Sequence, residues 1–318
     1  MNFRTQLPII KRADSRIDYA SDLLLLGSCF VENIGEKLDY FKFQNLQNPF
    51  GILFHPKAIE ALISHALNAK VYTSDDIFVM NEQWHCFDAH SKLSSISKDD
   101  LINMLNLNLK LTHQQINKST HIVITLGTAW VYRFLESNTI VANCHKVPQK
   151  QFEKVLLSVE DIYESLQNIV QSIKGINSNA SIIFTVSPIR HIKDGFVENT
   201  QSKAHLLTAV HRLLARKEFL NCHYFPSYEI MMDELRDYRF YNEDMIHPNQ
   251  TAINYIWETF KTVWISESIS NTMDEVDVIQ KGIRHKPFHA QSQAHQQFLQ
   301  SLEAKKAALH SKFPNIVF

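Results

Sequence analysis

Glycine is scarce in this chain, with 7 in 318 residues. Collagen-like and Gly-rich linker readings fall away on that count, and no Gly-rich phosphate loop follows any strand-like segment. A basic excess is also missing: 32 Lys and Arg face 33 Asp and Glu. A surface built to neutralise nucleic-acid phosphates is therefore not expected. No apolar run approaches the roughly 20 residues that span a bilayer, and the first eleven residues hold no apolar signal core. Cysteine is sparse and scattered, at Cys29, Cys86, Cys144 and Cys222. Without a Cys-x-x-Cys pair, neither a zinc ribbon nor a redox dithiol is indicated, and free thiols in a reducing, cytoplasmic compartment are expected.

What is present is a 45% hydrophobic composition with 20 phenylalanines, enough for a substantial aromatic-rich core. Short apolar runs at Leu23–Leu26, His121–Leu126 and Ser181–Val186 read as strands buried on both faces. Further strands are expected over Lys42–Leu46 and Cys222–Phe225. Helical spacing marks Val31–Leu38, Pro56–Asn68, Asp99–Thr112, Val159–Ile173, Asn199–Leu214 and Asn249–Ser266. Alternating segments at Asp76–Ser91 and Trp130–Cys144 predict two hairpin inserts. From Asp274 onward the chain reads as wholly helical. Strands alternating with helices predict a parallel sheet covered on both faces. The expected division is a catalytic domain over residues 1–268 and a packed helical extension over 269–318, whose helices offer a surface for self-association.

In open parallel sheets, chemistry gathers beyond the carboxyl ends of the strands. Gly27-Ser28-Cys29-Phe30 follows the first strand there, and Gly127-Thr128-Ala129-Trp130 follows a later one. Asp244-Met245-Ile246-His247-Pro248 precedes a late helix. A hydroxyl nucleophile needs a base, and a carboxylate three residues from a histidine can orient the ring. Pro248 biases His247 toward extended geometry. Ser28 thus reads as nucleophile with His247 as base and Asp244 as its partner. The competing structural readings are a helix N-cap for Ser28 and a simple helix start for Asp-x-x-His. Cys29 is the rival nucleophile, since neighbouring side chains point apart and only one can face the site.

Gly27-Ser28-Cys29-Phe30-Val31 resembles the motif that names the GSCFA domain family, with Val in the fifth place. Asn48-Pro49-Phe50-Gly51, Gly127-Thr128-Ala129-Trp130-Val131-Tyr132, Asn143-Cys144-His145-Lys146, Ser187-Pro188-Ile189-Arg190-His191 and Tyr224-Phe225-Pro226-Ser227-Tyr228-Glu229 are similar to segments of the same family. The resemblance runs over roughly residues 22–265. It implies an SGNH-like, flavodoxin-like three-layer α/β/α fold and an acyl-hydrolysing activity. By the same resemblance Ser28 matches the nucleophile, the Ser28 and Gly51 amides match oxyanion donors, and Asp244 with His247 matches the acid–base pair. The usual Gly-x-Asn-Asp block is replaced by Gly127-Thr128-Ala129-Trp130, so a third donor comes from elsewhere, with Asn48, Thr128 and Asn143 as candidates, or is missing. Losing such a donor costs about 3 kcal/mol of transition-state stabilisation.

Trp130, His145 and Arg190 are candidate substrate contacts, Arg190 for a carboxylate or phosphate; His145 reads equally well as a turn residue, and Arg190 as a surface ion pair. His85, Cys86, Asp88 and His90 carry metal-ligating groups, but His85 lies on the opposite strand face from the others, and no metal is expected. Trp84 and His90 are alternative pocket residues. The function expected is cleavage of a small acyl ester, such as an acetyl group on a sugar or small molecule, through an acyl-enzyme without a cofactor. Acyl transfer by the same residues, or a ligand-binding module with little catalysis, are the alternatives.

Overall fold

The computed structural model describes residues 5–11 and 14–318. The three strongest apolar runs form the middle of one parallel sheet: β1 (Asp22–Gly27), β5 (His121–Leu126) and β9 (Ser181–Val186). Edge strands β2 (Gln44–Gln47) and β10 (Cys222–Tyr224) complete the spatial order β10-β9-β5-β1-β2. Counting only these five in chain order, the arrangement is 2-1-3-4-5, the flavodoxin-like doubly wound order. Its direction of winding reverses beside β1, which opens a crevice at the carboxyl ends of β1 and β5.

Side chains alternate across the sheet and separate its two faces. Leu24, Leu26, Ile122, Ile124, Ile182 and Phe184 pack in one cluster. That cluster is shared by α2 (Pro56–Leu67), α3 (Lys98–Lys118), α4 (Val159–Ile176) and α5 (Phe196–Leu214). Leu23, Leu25, Val123 and Ile183 enter the other cluster, beneath α1 (Cys29–Tyr40) and α7 (Gln250–Trp264). Between β10 and α7 the single turn α6 (Ser227–Glu229) runs into a π-helical turn at Ile230–Glu234. Helices α8 (Ser270–Arg284) and α9 (Gln293–Lys312) bury Met273, Val276, Ile279, Leu302 and Leu309 in the second cluster. The chain is not helical between Arg284 and Gln293, where Pro287 interrupts the pattern.

The inserts lie outside the main sheet. β3 (Phe78–Met80) and β4 (Gln83–His85) form the first expected hairpin. The second is larger than its sequence pattern predicts: β6 (Trp130–Phe134) pairs with β7 (Thr139–Val141) and with β8 (Phe152–Leu156). β8 carries Glu153 and Lys154 at exposed positions and shows too little apolar alternation to be read alone. Among the described residues, no helix is long and apolar enough to cross a membrane.

Candidate active site

β1 ends in a backbone geometry that only glycine tolerates. Gly27 has φ +130°, and a Cβ there would meet the Thr125 carbonyl oxygen at 2.1 Å. Ser28 follows in an extended conformation as the N-cap of α1, and Cys29 is the first helical residue. This step decides which side chain faces solvent. Ser28 is fully buried, and its Oγ has no hydrogen-bond partner. Cys29 is partly exposed and lines a pocket of about 500 Å³.

His247 faces Cys29, with 4.0 Å between Nε2 and Sγ. Its Nδ1 lies 2.6 Å from Asp244 Oδ2. Asp244 Oδ1 accepts from the amides of Ile246 at 2.9 Å and His247 at 3.0 Å. The His247 amide, its ring N–H and the Ile246 amide together hold the Asp244 carboxyl down to about 2. A carboxylate taking the Nδ1 proton leaves the Nε2 lone pair directed toward the sulfur. The structure thus brings Asp244 and His247 together and sets Cys29 Sγ beside the ring, while Ser28 Oγ makes no hydrogen bond to it.

The amides expected as oxyanion donors are bonded within the chain. The Ser28 amide donates to the Thr125 carbonyl at 3.0 Å, and the Gly51 amide to the Asn48 carbonyl at 2.7 Å. Both expected donors are thus spent inside the backbone. Gly51 has φ +71° and closes its turn against His90, away from the pocket. Asn48 is buried and outside the pocket; its Oδ1 accepts from the Gly27 amide and so braces β1, and its Nδ2 lies 3.5 Å from Glu32 Oε1. Thr128 lines the pocket, but its hydroxyl is bonded to Ser202 and to the Trp130 amide. Asn143 also lines it, with Oδ1 held by the His145 amide. The first amides of a helix have no intrahelical acceptor, and those of Cys29 and Phe30 both pull the Cys29 thiol down. Sequence reasoning did not single out these two amides because it centred the site on Ser28.

Burial pushes the Cys29 thiol up, as does the nearby Glu32 carboxylate; the two amides and Lys203 pull it back down. Of the expected substrate contacts, Trp130 and Arg190 line the pocket. His145 does not: it sits at φ +47° among Phe78, His85 and Phe87, with Nε2 on the Cys86 carbonyl. Burial drives its ring down to about 4. Its place after Asn143-Cys144 marks a turn, not a pocket mouth. Arg190 extends one bond to the Met245 carbonyl and lies over the rings of Phe196, Tyr238 and Tyr241. Its amide donates to the Ile246 carbonyl, so it also braces the loop that carries His247.

The metal-ligating types of the first insert are engaged separately. His85 bonds Ser94 and the Met80 carbonyl, Asp88 bonds Tyr72 and Lys70, and His90 caps the Lys92 amide. Among the described residues, no group of three or more potential ligands converges. Trp84 and His90 stand outside the pocket. His55, Phe54 and His191 line it instead. The His191 Nε2 is sealed from solvent without a partner, and burial followed by the charge of Lys203 lowers its ring to about 3.

Fold and site define a class: doubly wound α/β/α proteins with a thiol, an imidazole and a carboxylate aligned at the switch point of the sheet. The chain belongs to the GSCFA family, whose pattern matches residues 22–260, and the GSCFA domain protein C-terminal domain matches residues 276–318. No curated protein sequence matches it. Among solved structures it is similar to an acetyl xylan esterase, Est2A, from the rumen bacterium Butyrivibrio proteoclasticus, at 12% identity and a TM-score of 0.32. That alignment covers 81% of this chain, which spans 65% of the esterase chain.

Proposed function

We propose that this chain is an acyl hydrolase, or an acyl transferase using the same residues, whose nucleophile is Cys29. The observation that carries the reading is the continuous chain from Cys29 Sγ through His247 to Asp244 at the carboxyl ends of the strands. In the reaction, His247 Nε2 takes the thiol proton as Sγ attacks the carbonyl carbon of an ester or thioester. The Cys29 and Phe30 amides, at the positive end of α1, receive the developing oxyanion. Collapse expels the alcohol or thiol, which takes the proton from His247, and leaves an S-acyl cysteine. Water activated by His247 then frees the carboxylic acid and restores the thiol; an acceptor alcohol in place of water gives transfer. No step calls for a metal or organic cofactor.

The pocket walls suit a small acyl group with an anionic substituent. Phe54, Trp130, Tyr132 and Ile189 supply apolar surface. Arg190 has no carboxylate within ion-pair distance among the described residues, and most of its donors remain for a carboxylate or phosphate. This support keeps the small-molecule or carbohydrate ester as substrate class, with the serine of the expected mechanism exchanged for cysteine.

The test compares two neighbouring truncations on p-nitrophenyl acetate and on an acetyl thioester. Cys29→Ala is expected to lower kcat/KM by about 10⁴-fold or more, whereas Ser28→Ala retains turnover within about tenfold. Loss of activity in Ser28→Ala with retention in Cys29→Ala overturns the reading. A folded wild type that turns over neither substrate, and takes up no acyl group, points to the binding-module alternative.

A further inference from the structure

The pocket opens beside a rim that is both aromatic and positively charged. After β9 the chain makes a short 3₁₀ turn at Ile192–Asp194 and enters α5 at Phe196. Phe196 and Val197 are 63% and 75% exposed there. Tyr238, in a turn of the segment that leads to His247, is 64% exposed. Large side chains left together in water mark a contact surface. Arg190 stands among them, 5.3 Å from the Phe196 ring centroid, 5.9 Å from that of Tyr238 and 5.7 Å from that of Tyr241. A guanidinium held over ring faces keeps its remaining donors in a fixed fork.

The positive charge is not compensated. Besides His247, the charged residues that line the pocket are Arg190, Lys193 and Asp194. Asp194 is taken up by Lys154, which lies over the Trp130 ring. Among the described residues, neither Arg190 nor Lys193 has a carboxylate within ion-pair distance. Asp244, on the neighbouring loop, is engaged by the His247 ring and two amides. Position then assigns the cations to one half of an ester. Arg190 is bonded twice to the loop that carries the base, through its amide to the Ile246 carbonyl and its guanidinium to the Met245 carbonyl, both at 3.2 Å. A base that hands its proton to the departing group must face that group, so Arg190 flanks the side from which the alcohol or thiol leaves.

We propose that Arg190 and Lys193, framed by Phe196, Tyr238 and Tyr241, form a leaving-group subsite for a sugar that carries a carboxylate or a phosphate. The inference rests on the acyl-hydrolase reading and refines it: the anionic substituent belongs to the half of the ester that departs. The guanidinium takes the anion through paired N–H donors, and the Lys193 ammonium adds a point charge. The exposed surfaces of Phe196 and Tyr238 receive the apolar C–H face of the sugar ring. The reaction at Cys29 keeps its balance. The S–acyl bond forms, the acyl C–O bond to the sugar breaks, and the proton held by His247 passes to the sugar oxygen.

The test follows acetate release by the full chain from acetylated glucose, acetylated glucuronic acid and acetylated glucose-6-phosphate. Charge-assisted hydrogen bonds make kcat/KM about 10–100-fold higher for an acidic sugar than for the neutral one. The acid that gains more identifies carboxylate or phosphate as the preferred anion. In Arg190→Gln the acidic-to-neutral ratio is expected to fall about tenfold or more, and in Lys193→Gln about threefold. If Arg190 only braces the His247 loop, its variant slows neutral and acidic sugars alike and leaves the ratio in place. That result, or a wild-type ratio near unity, overturns the proposal. Calorimetric titration with glucose, glucuronate and glucose-6-phosphate needs no turnover. A charged sugar that binds about tenfold or more tightly than glucose, with the difference lost in Arg190→Gln, supports the subsite, and equal binding of all three contradicts it. Selective binding without acetate release overturns the hydrolase reading and keeps the anion site, so the two failures are distinct.

Discussion

The two halves of the site are built in opposite environments. The nucleophile half lies at the ends of buried strands: Ser28, Gly127, Ser187 and Lys203 are interior, and Cys29 is partly covered. The base half lies on a loop before α7, where the Asp244 and His247 side chains are 44% and 45% exposed. Burial pushes the Cys29 thiol up, and on the proposed mechanism the exposed loop lets solvent share the charge that forms on His247. Charge separation on proton transfer is thus divided between a rigid, poorly solvated partner and a solvated one. The loop half compensates for its exposure with hydrogen bonds: both Asp244 oxygens are engaged, Asn242 donates from its amide to the His247 carbonyl, and Asn249 caps α7.

The largest expected way to break this division is His247→Ala, which removes the base and is expected to lower turnover about 10²–10⁴-fold. The buried half should retain its melting temperature within a few degrees, because the exposed imidazole supports little packing. A collapse of stability in this variant contradicts the division, and steady-state kinetics with a thermal melt checks both parts.

The buried half sets the response to acid. His55, His145 and His191 are lowered to about 4, 4 and 3, each first by burial. A histidine depressed in the folded state binds its proton first in the unfolded chain, near 6.5. Their neutral forms therefore contribute full stability above about pH 6.5, and the contribution is lost as pH falls toward about 4. Asp244, lowered to about 2, loses its own contribution only as pH falls below its unfolded value of about 4, beneath most of that window. Urea midpoints measured from pH 7.5 to 4.5 are expected to fall steeply below pH 6.5. A flat profile contradicts the buried placement of these rings.

Gly51→Ala sharpens the comparison with the smallest effect. Its φ of +71° and a Cβ contact of 2.5 Å with the His90 Cβ predict a destabilisation of about 1–3 kcal/mol. Because the Gly51 amide is bonded to Asn48 and stands outside the pocket, kcat should change little. A large loss of kcat at unchanged stability restores Gly51 as an oxyanion donor.

What was legible in the sequence follows the same split. Runs such as Ile122–Leu126 announce central strands because both faces are apolar, and they fix the sheet that places the site. The Asp244–His247 pair was legible because a three-residue spacing in a loop brings ring and carboxylate together on its own. Ser28 against Cys29 was not, because the choice depends on the rotation of the chain between Gly27 and the first turn of α1. Alternation says that the two side chains diverge, but not which one meets His247. β8 was hidden by its charged residues, and the packing of Lys203 by the habit of reading lysine as solvated. For His145 a turn and a substrate contact read equally well, because nothing in Asn143-Cys144-His145 reports the left-handed backbone that turns the ring inward.

The central claim is that Cys29, and not Ser28, forms the covalent intermediate. The most direct measurement is to quench the wild type early in its reaction with p-nitrophenyl acetate, digest it at low pH, and locate the added acetyl group by mass spectrometry. The account predicts an acetyl on Cys29 that neutral hydroxylamine removes. An acetyl on Ser28 that resists mild hydroxylamine would contradict it.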